Sequence, residues 1–273
     1  MQKRLVEILL IVLFLGAVAA LTYQGLGQIE RETRRSSGAA LHTVLLTVEE
    51  ALHLWTGNRI RDAQTISAHP AVVASTEELL RLSGRRDALL ASGALRLARE
   101  FIEQPVRFQG YPGFLVIGPD FNTLVSMWDD DIGAGNLIAE RKPDTLSHVF
   151  AGRSVIIPAV IAEPALGDAL DRSAVVTPAM YVATPIVNDA GDVIAALAIE
   201  LDPVGDFSRV TGLGRIGVSG ETYAFDADGF LLSESRFDHQ LRDIGMIRDT
   251  QQSVMVVRIV DPGWNMVEGG QAP

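Results

Sequence analysis

Apolar positions fall into three regimes along this chain. The first is a block. Leu5 to Tyr23 is almost wholly apolar and about 19 residues long, close to the roughly 20 residues a helix needs to cross a bilayer. Lys3 and Arg4 precede it, which favours a cytoplasmic N-terminus. Two other readings stay open. Ala17-Val-Ala19 resembles a signal-peptidase site after a short apolar core, and a buried core helix has the same composition. An anchor and a leader both send the rest of the chain across the membrane.

In the second regime, from about Gln24 to Phe101, apolar residues recur at helical spacing. Leu41, Val44, Val48, Ala51 and Trp55 follow a 3-4 pattern, which fits a coiled-coil seam or a helix packed on a sheet. His69-Pro70 ends this helix, because proline disfavours the α conformation in the residue before it. Ser75-Thr-Glu-Glu78 offers a capping box. A further helical run follows, with Leu90, Ala94, Leu97 and Phe101 on one face, and Gln104-Pro105 closes it.

The third regime is extended. Phe114–Ile117 and Thr123–Met127 flank Gly118-Pro-Asp-Phe-Asn122 as strand, turn and strand. A polar loop, a short helix over Thr145–Phe150 and a strand over Ser154–Ile157 come next. A looser insert runs to about Thr177. Met180–Val187 and Val193–Leu201 then surround Asn188-Asp-Ala-Gly191 as a second hairpin. The second strand of that hairpin is apolar on both faces, so it is expected to be central in a sheet. This order suits a PAS-like antiparallel sheet, covered by helices on one face and concave on the other. Asp202–Val210 predicts a short linking helix. The stretch Gly214–Phe237 reads as a glycine-punctuated loop, then a strand, a tight turn at Asp226-Ala-Asp-Gly229 and a strand. A short helix near Gln240–Arg248 and a strand over Ser253–Val260 follow. The expected class is therefore α+β: an N-terminal membrane helix, a long stalk helix and two tandem PAS-like units. The second unit is incomplete, for it lacks a closing hairpin.

Charge and composition narrow the function. The net charge of −11 argues against nucleic acid as a partner. The chain has no cysteine, so disulfides, thiolate metal sites and cysteine nucleophiles are excluded. Its five histidines are scattered without H-x-x-x-H spacing, and no metal or cofactor site is expected. Gly212-Leu-Gly-Arg-Ile-Gly217 matches a dinucleotide fingerprint, but a strand follows it where a helix should. Asp226-Ala-Asp-Gly229 resembles the start of a calcium loop with its glycine too early. No catalytic residues are found, and no reaction is expected of this stretch.

The remaining candidates suit ligand binding. Trp128 beside Asp129 and Asp131 places an aromatic plate next to carboxylates, which can hold a cationic small molecule; a strand end with solvated acids is the plainer reading. Tyr181 enters the later hairpin, where its hydroxyl can face the same pocket or pack in the core. Arg153 can meet an anionic ligand or serve the preceding helix dipole. Glu234 and Arg236 suggest a local salt bridge.

Three segments carry a family resemblance: Val149-Phe-Ala-Gly-Arg-Ser154; Pro178–Val187 with Asp189–Ala198; and Ser219-Gly-Glu-Thr-Tyr-Ala-Phe-Asp226 continuing through Leu232–Phe237. With the membrane helix and stalk, they resemble the double Cache (dCache, or PDC) extracytoplasmic sensor domain of bacterial receptors. The likeness is greatest to regions attached to Ser/Thr kinases, nucleotide cyclases or histidine kinases. The resemblance implies an anchor with a short cytoplasmic tail at 1–23, stalk and covering helices at 24–104, a membrane-distal ligand-binding unit at 105–210 and a membrane-proximal unit at 211–273. It implies a small-molecule ligand, a homodimer through the stalk and a place at the bacterial cytoplasmic membrane, with the sensor outside. It also implies a second membrane helix and an output domain further on. Its amino-acid-binding members use a Tyr, Arg and Trp cluster with a later Asp. Trp128 can stand for part of that cluster, but Thr123–Met127 carries no arginine or tyrosine. The alternatives are a secreted or anchored periplasmic binding or scaffold protein, and an extracytoplasmic hydrolase.

Overall fold

The structure is a computed structural model that describes residues 2–161 and 178–260, with the backbone alone described at residues 2–12, 17, 19, 20 and 26. Most of the insert expected before Thr177, and the last thirteen residues, lie outside the described part. The chain divides into two compact units, residues 1–49 and 50–273.

The first unit lies on α1 (Gln2–Ser67). Leu41, Leu45 and Leu46 are exposed on it. Among the described residues no helix is long and apolar enough to cross a membrane. Much of the predicted anchor, including the side chains of 5–12, lies outside those residues.

In the second unit, α1 ends at Ser67 and α2 (Pro70–Leu80) begins at once. The proline that stops one helix starts the next. It needs no N–H in the first turn, and His69 caps that turn, its Nδ1 accepting the Ala71 N–H at 3.2 Å. The capping box predicted at Ser75 is therefore not a helix start. Ser75 and Thr76 are buried inside α2, with Thr76 donating to the Val72 carbonyl at 2.7 Å. The next run breaks at Ser92 into α3 (Arg86–Ala91) and α4 (Gly93–Phe108). Pro105 lies within α4 and does not close it. The buried stripe of α4 is Ala94, Leu95, Ala98, Ile102 and Val106. Of the predicted face, Ala94 is buried and Leu90 partly so, while Leu97 and Phe101 are exposed. Small Ala94 and Ala98 let the backbone approach its neighbours, and Phe101 stacks on His69 with ring centroids 4.4 Å apart.

Five strands follow: β1 (Phe114–Ile117), β2 (Thr123–Ser126), β3 (Val155–Val160), β4 (Ala179–Val187) and β5 (Val193–Leu201). Between β2 and β3 lie a 3₁₀ turn at Asp129–Asp131, α5 (Leu137–Arg141) and α6 (Pro143–Phe150). The sheet is antiparallel in the order β2-β1-β5-β4-β3, so β5 is central as predicted. Strand alternation gives each face its own core. On one face Phe114, Val116, Val182, Leu197 and Ile199 meet Ala63 and Ile66 of α1, Leu79 of α2 and Ile102 of α4. On the other, Ile117, Ile157, Ala183, Ala196 and Ala198 meet Ile138 of α5 and Leu146 and Val149 of α6.

After β5 a π-helical turn (Pro203–Phe207) leads into α7 (Ser208–Thr211), where a linking helix was expected. This turn is tied to α1. Arg59 donates to both carboxylate oxygens of Asp206 at 2.8 and 2.9 Å, and the Trp55 indole N–H donates to Asp206 at 3.2 Å. The Arg59 guanidinium lies over the rings of Trp55 and Tyr111, and the Tyr111 hydroxyl donates to Asp62 at 2.6 Å. Burial alone would lower the Arg59 pKa, but its partners outweigh that and the net shift is upward.

The Gly214–Phe237 stretch forms the predicted turn but not the predicted strands. Gly229 adopts φ +86°, and Asp226 Oδ1 accepts the N–H groups of Asp228 and Phe230 at 3.0 and 2.9 Å. Only isolated bridges, Phe225 with Leu231 and Phe230 with Arg258, join the flanking segments, and Ser253–Val260 is likewise not a strand. Val254 is part of the helix-side core, with Leu232 and Met255 packed against it. These three side chains thus join the sheet's core, while Ile216, Val218 and Phe225 stay exposed. The predicted helix near Gln240–Arg248 is α8 (Asp238–Asp243). Arg236 does not pair with Glu234. It donates to the carbonyls of Gly217 and Gly220, while Arg215 pairs with the buried Glu221 at 3.0 Å.

Two substitutions test this scaffold. Asp206→Ala strips a partly buried cation and an indole N–H of their acceptor, and urea unfolding should show a loss of about 2–3 kcal/mol. Gly229→Ala adds a Cβ 2.5 Å from the Ile259 carbonyl oxygen at a positive φ. A loss of about 2 kcal/mol is expected in the same assay.

Candidate functional site

The α5–α6 face of the sheet is not fully covered. Its floor at mid-sheet is Ala183, Ala196 and Ala198, small enough for α6 to approach closely. Towards the β1–β2 edge, where α6 does not reach, a cavity of about 190 Å³ opens.

A bulge builds one wall. Leu115 pairs with Ser126, and Ile117 pairs with Thr123, so Leu124 is an extra residue opposite the β1 ladder. Directly paired residues share a face. The bulge therefore turns both Thr123 and Ser126 towards the cavity, although they are three apart. Ser126 in turn shapes the segment after β2. Its hydroxyl donates to Asp131 Oδ2 at 2.5 Å and accepts the Trp128 N–H at 3.1 Å. This fixes the 3₁₀ turn that carries Trp128 and Asp131 into the lining. From behind, Arg99 of α4 donates to the Ser126 carbonyl at 2.7 Å, and Arg86 of α3 donates to the carbonyls of Asp129 and Ile132 at 2.9 and 3.1 Å.

The opposite wall comes from the sheet. Tyr181 of β4 pairs directly with Glu200 of β5, and both line the cavity. Glu200 closes over Gly113, where a Cβ would stand 3.0 Å from its Oε2. Burial raises the Glu200 pKa, and the charges of Asp202 and Asp131 raise it further. Burial also raises the Tyr181 phenol, with Glu200 and Asp131 adding to the effect. Trp128 is 67% exposed at the rim, an unusual state for a residue this large and apolar.

Of the five predicted site residues, Trp128, Asp131 and Tyr181 meet in this cavity. Asp129 points away and pairs with Arg99 at 2.7 Å. Arg153 follows α6, is exposed and lies against the His148 ring, away from the lining. Glu200, Thr123 and Ser126 were missed. Glu200 left a signal, as the one charged residue in the apolar run of β5. The other two depend on the bulge, which has no sequence mark. A larger cleft of about 570 Å³ lies between the α1–α2 corner and the ends of β3 and β4. Three of its polar side chains bond one another: Gln64 donates to Ser154 at 3.1 Å, and Ser154 bonds Thr184 at 2.8 Å. Among the described residues no cluster of side chains could hold a metal ion.

No protein-family model matches the chain, and no curated protein matches it. Solved structures similar to it include the ligand-binding domain of the Pseudomonas aeruginosa PAO1 amino acid chemoreceptor PctB in complex with L-Arg. That likeness has a TM-score of 0.46 at 14% identity, covering 78% of this chain and 72% of that one. The sensor domain of the V. cholerae histidine kinase DctB is similar with a TM-score of 0.39 at 17% identity, covering 78% and 77%. The E. coli DcuS sensor domain is similar with a TM-score of 0.39 at 17% identity, covering 60% and 97%. All three are sensor or ligand-binding domains by name.

The raised carboxylate makes a signed prediction. The folded state favours protonated Glu200, so this residue adds stability below its ordinary pKa of 4.5. That contribution is lost as pH climbs through the raised value. Glu200→Gln should then raise the melting temperature at pH 7 by about 2 °C. The gain should shrink as the pH is lowered towards 4.5. A melting temperature that falls at pH 7 would refute this account.

Proposed function

We propose that this chain is the extracytoplasmic small-molecule sensor region of a bacterial transmembrane signalling receptor. The cavity under the α5–α6 face is the observation that carries the reading: it gathers aromatic and ionisable side chains at one end of a rigid sheet, as a ligand site does. The three sequence segments that resemble double Cache domains support the same reading. Residues 5–23 anchor the chain in the cytoplasmic membrane. The five-stranded unit is PAS-like, and the Asp226–Gly229 turn, with its bridges to Leu231 and Arg258, begins a second such unit. The chain catalyses no reaction of its own. It passes its signal through α1 to a kinase or cyclase output.

The route for that signal is short. Glu200 lies two residues before Asp202, whose side chain caps the π-helical turn by accepting the Val204 N–H at 2.8 Å. That turn holds Asp206, the acceptor for Arg59 and Trp55 of α1. A ligand that draws β5 and the 3₁₀ turn together biases the position of α1 through this connection. The exposed Leu41 and Leu45 offer α1 an apolar stripe for a homodimer.

A thermal-shift screen of small metabolites tests the reading. A ligand at 100 times its Kd should stabilise the protein by about 2.7 kcal/mol, and Tyr181→Ala should abolish the shift. A broad screen with no stabilising compound would count against it. Because the chain has no cysteine, Leu41→Cys can be oxidised without side reactions. A disulfide-linked dimer is expected in membranes, with the protein absent from the soluble fraction. Monomeric, soluble Leu41→Cys protein would remove both the anchor and the dimer.

A further inference from the structure

We infer that the cavity selects small organic cations, primary or quaternary ammonium compounds without a carboxylate of their own. The inference rests on the sensor reading above and names the ligand class for that site.

Charge is the first ground. Asp131 and Glu200 face the cavity from opposite walls, and no Lys, Arg or His is among its lining residues. The two arginines that hold this wall are committed elsewhere: Arg99 holds Asp129 and the Ser126 carbonyl, and Arg86 holds two carbonyls of the same turn. Among the described residues the Glu200 carboxylate has no hydrogen-bond or ion-pair partner, and Asp131 is bonded through one oxygen only, to Ser126. Two carboxylates sharing a partly buried space repel each other. A bound cation removes that cost.

Unsatisfied polarity is the second ground, and it is independent of charge. Thr123 is fully buried and lines the cavity, yet its hydroxyl has no hydrogen-bond partner. The bulge at Leu124 turns this side chain to the cavity face. A buried hydroxyl left alone costs about 1–3 kcal/mol, and an ammonium N–H or a ligand hydroxyl that displaces the lining over it would satisfy it. The third ground is Trp128, whose large exposed ring stands at the rim beside Asp131. An indole face is the best aromatic partner for a cation.

The same features reject a zwitterion. An amino acid that places its ammonium between Asp131 and Glu200 brings its carboxylate into the same 190 Å³. No lining cation meets it there. A buried unpaired carboxylate is strongly disfavoured. The volume is below the roughly 300 Å³ at which pockets for drug-sized ligands begin, so the cation has only a few carbons.

Titration calorimetry on the 273-residue chain in detergent tests this with four probes: propylamine, choline, β-alanine and propionate. β-Alanine is propylamine with its terminal methyl replaced by a carboxylate, so the pair isolates the effect of that group. Propylamine or choline should bind saturably. β-Alanine should bind at least tenfold more weakly than propylamine, and propionate not at all. Glu200→Gln should weaken cation binding at least tenfold, and Trp128→Leu at least threefold. Circular dichroism melts of both variants separate lost binding from lost folding. If β-alanine or propionate binds as well as the amines, the cation class is overturned and the sensor reading survives. Cation binding untouched by Glu200→Gln would also overturn it, because the site would lie elsewhere. If neither cation binds, the inference fails, and the sensor reading is then decided by the neutral and anionic compounds of the metabolite screen.

Discussion

One half-buried cation holds this fold in register. Arg59 lies between the rings of Trp55 and Tyr111 and grips both oxygens of Asp206. Those four residues come from α1, the approach to β1 and the exit from β5. The adjacent central strands β1 and β5 are thereby clamped at one end to the helix that runs beneath them. Loss of Asp206 is costly for a guanidinium this enclosed, because Asp62 at 4.0 Å is the one carboxylate left beside it among the described residues. The clamp therefore constrains where α1 can sit against the sheet and which movements of β5 it must follow.

The cavity stands on the opposite face and answers to the same strands. Its sheet wall is the Tyr181–Glu200 pair, and the Glu200 N–H donates to the Gly113 carbonyl at 2.8 Å. Gly113 lies two residues after Tyr111, and Glu200 six before Asp206. Both chain segments that leave the cavity thus arrive at the clamp within a few residues. Two neighbouring strands thus connect the cavity with α1.

How much of this was legible in the sequence depends on what kind of interaction decides each element. Local chemistry announced itself. Hairpins at Gly118–Asn122 and Asn188–Gly191, the turn at Asp226–Gly229 and the central position of β5 all follow from turn residues and apolar runs. Tertiary competition did not. Ser253–Val260 has strand-like residues, but Val254 and Met255 are used by a core already present, and Ile259 and Val260 stay exposed. Helix α4 turns the face of Ala98 and Ile102 inward because small residues allow closer approach there than Leu97 and Phe101 would. Pro70 was read as a stop and serves also as a start, since a proline's missing N–H costs nothing in a first turn. At the site, Trp128, Asp131 and Tyr181 were visible as residue types in plausible places. Thr123 and Ser126 were not, because a single bulge residue sets their direction.

The arginines behind the 3₁₀ turn have a consequence for how such a site can change. Arg86 and Arg99 hold the stretch from Ser126 to Ile132 mainly by its peptide carbonyls. Carbonyls are present whatever side chain a residue bears. Replacing Trp128 therefore leaves the wall's anchorage in place, so the chemistry at the rim can drift while its position is inherited; Asp131 differs, because it also holds the Ser126 hydroxyl. A wall held in this way keeps its place while the side chain it presents at the rim changes.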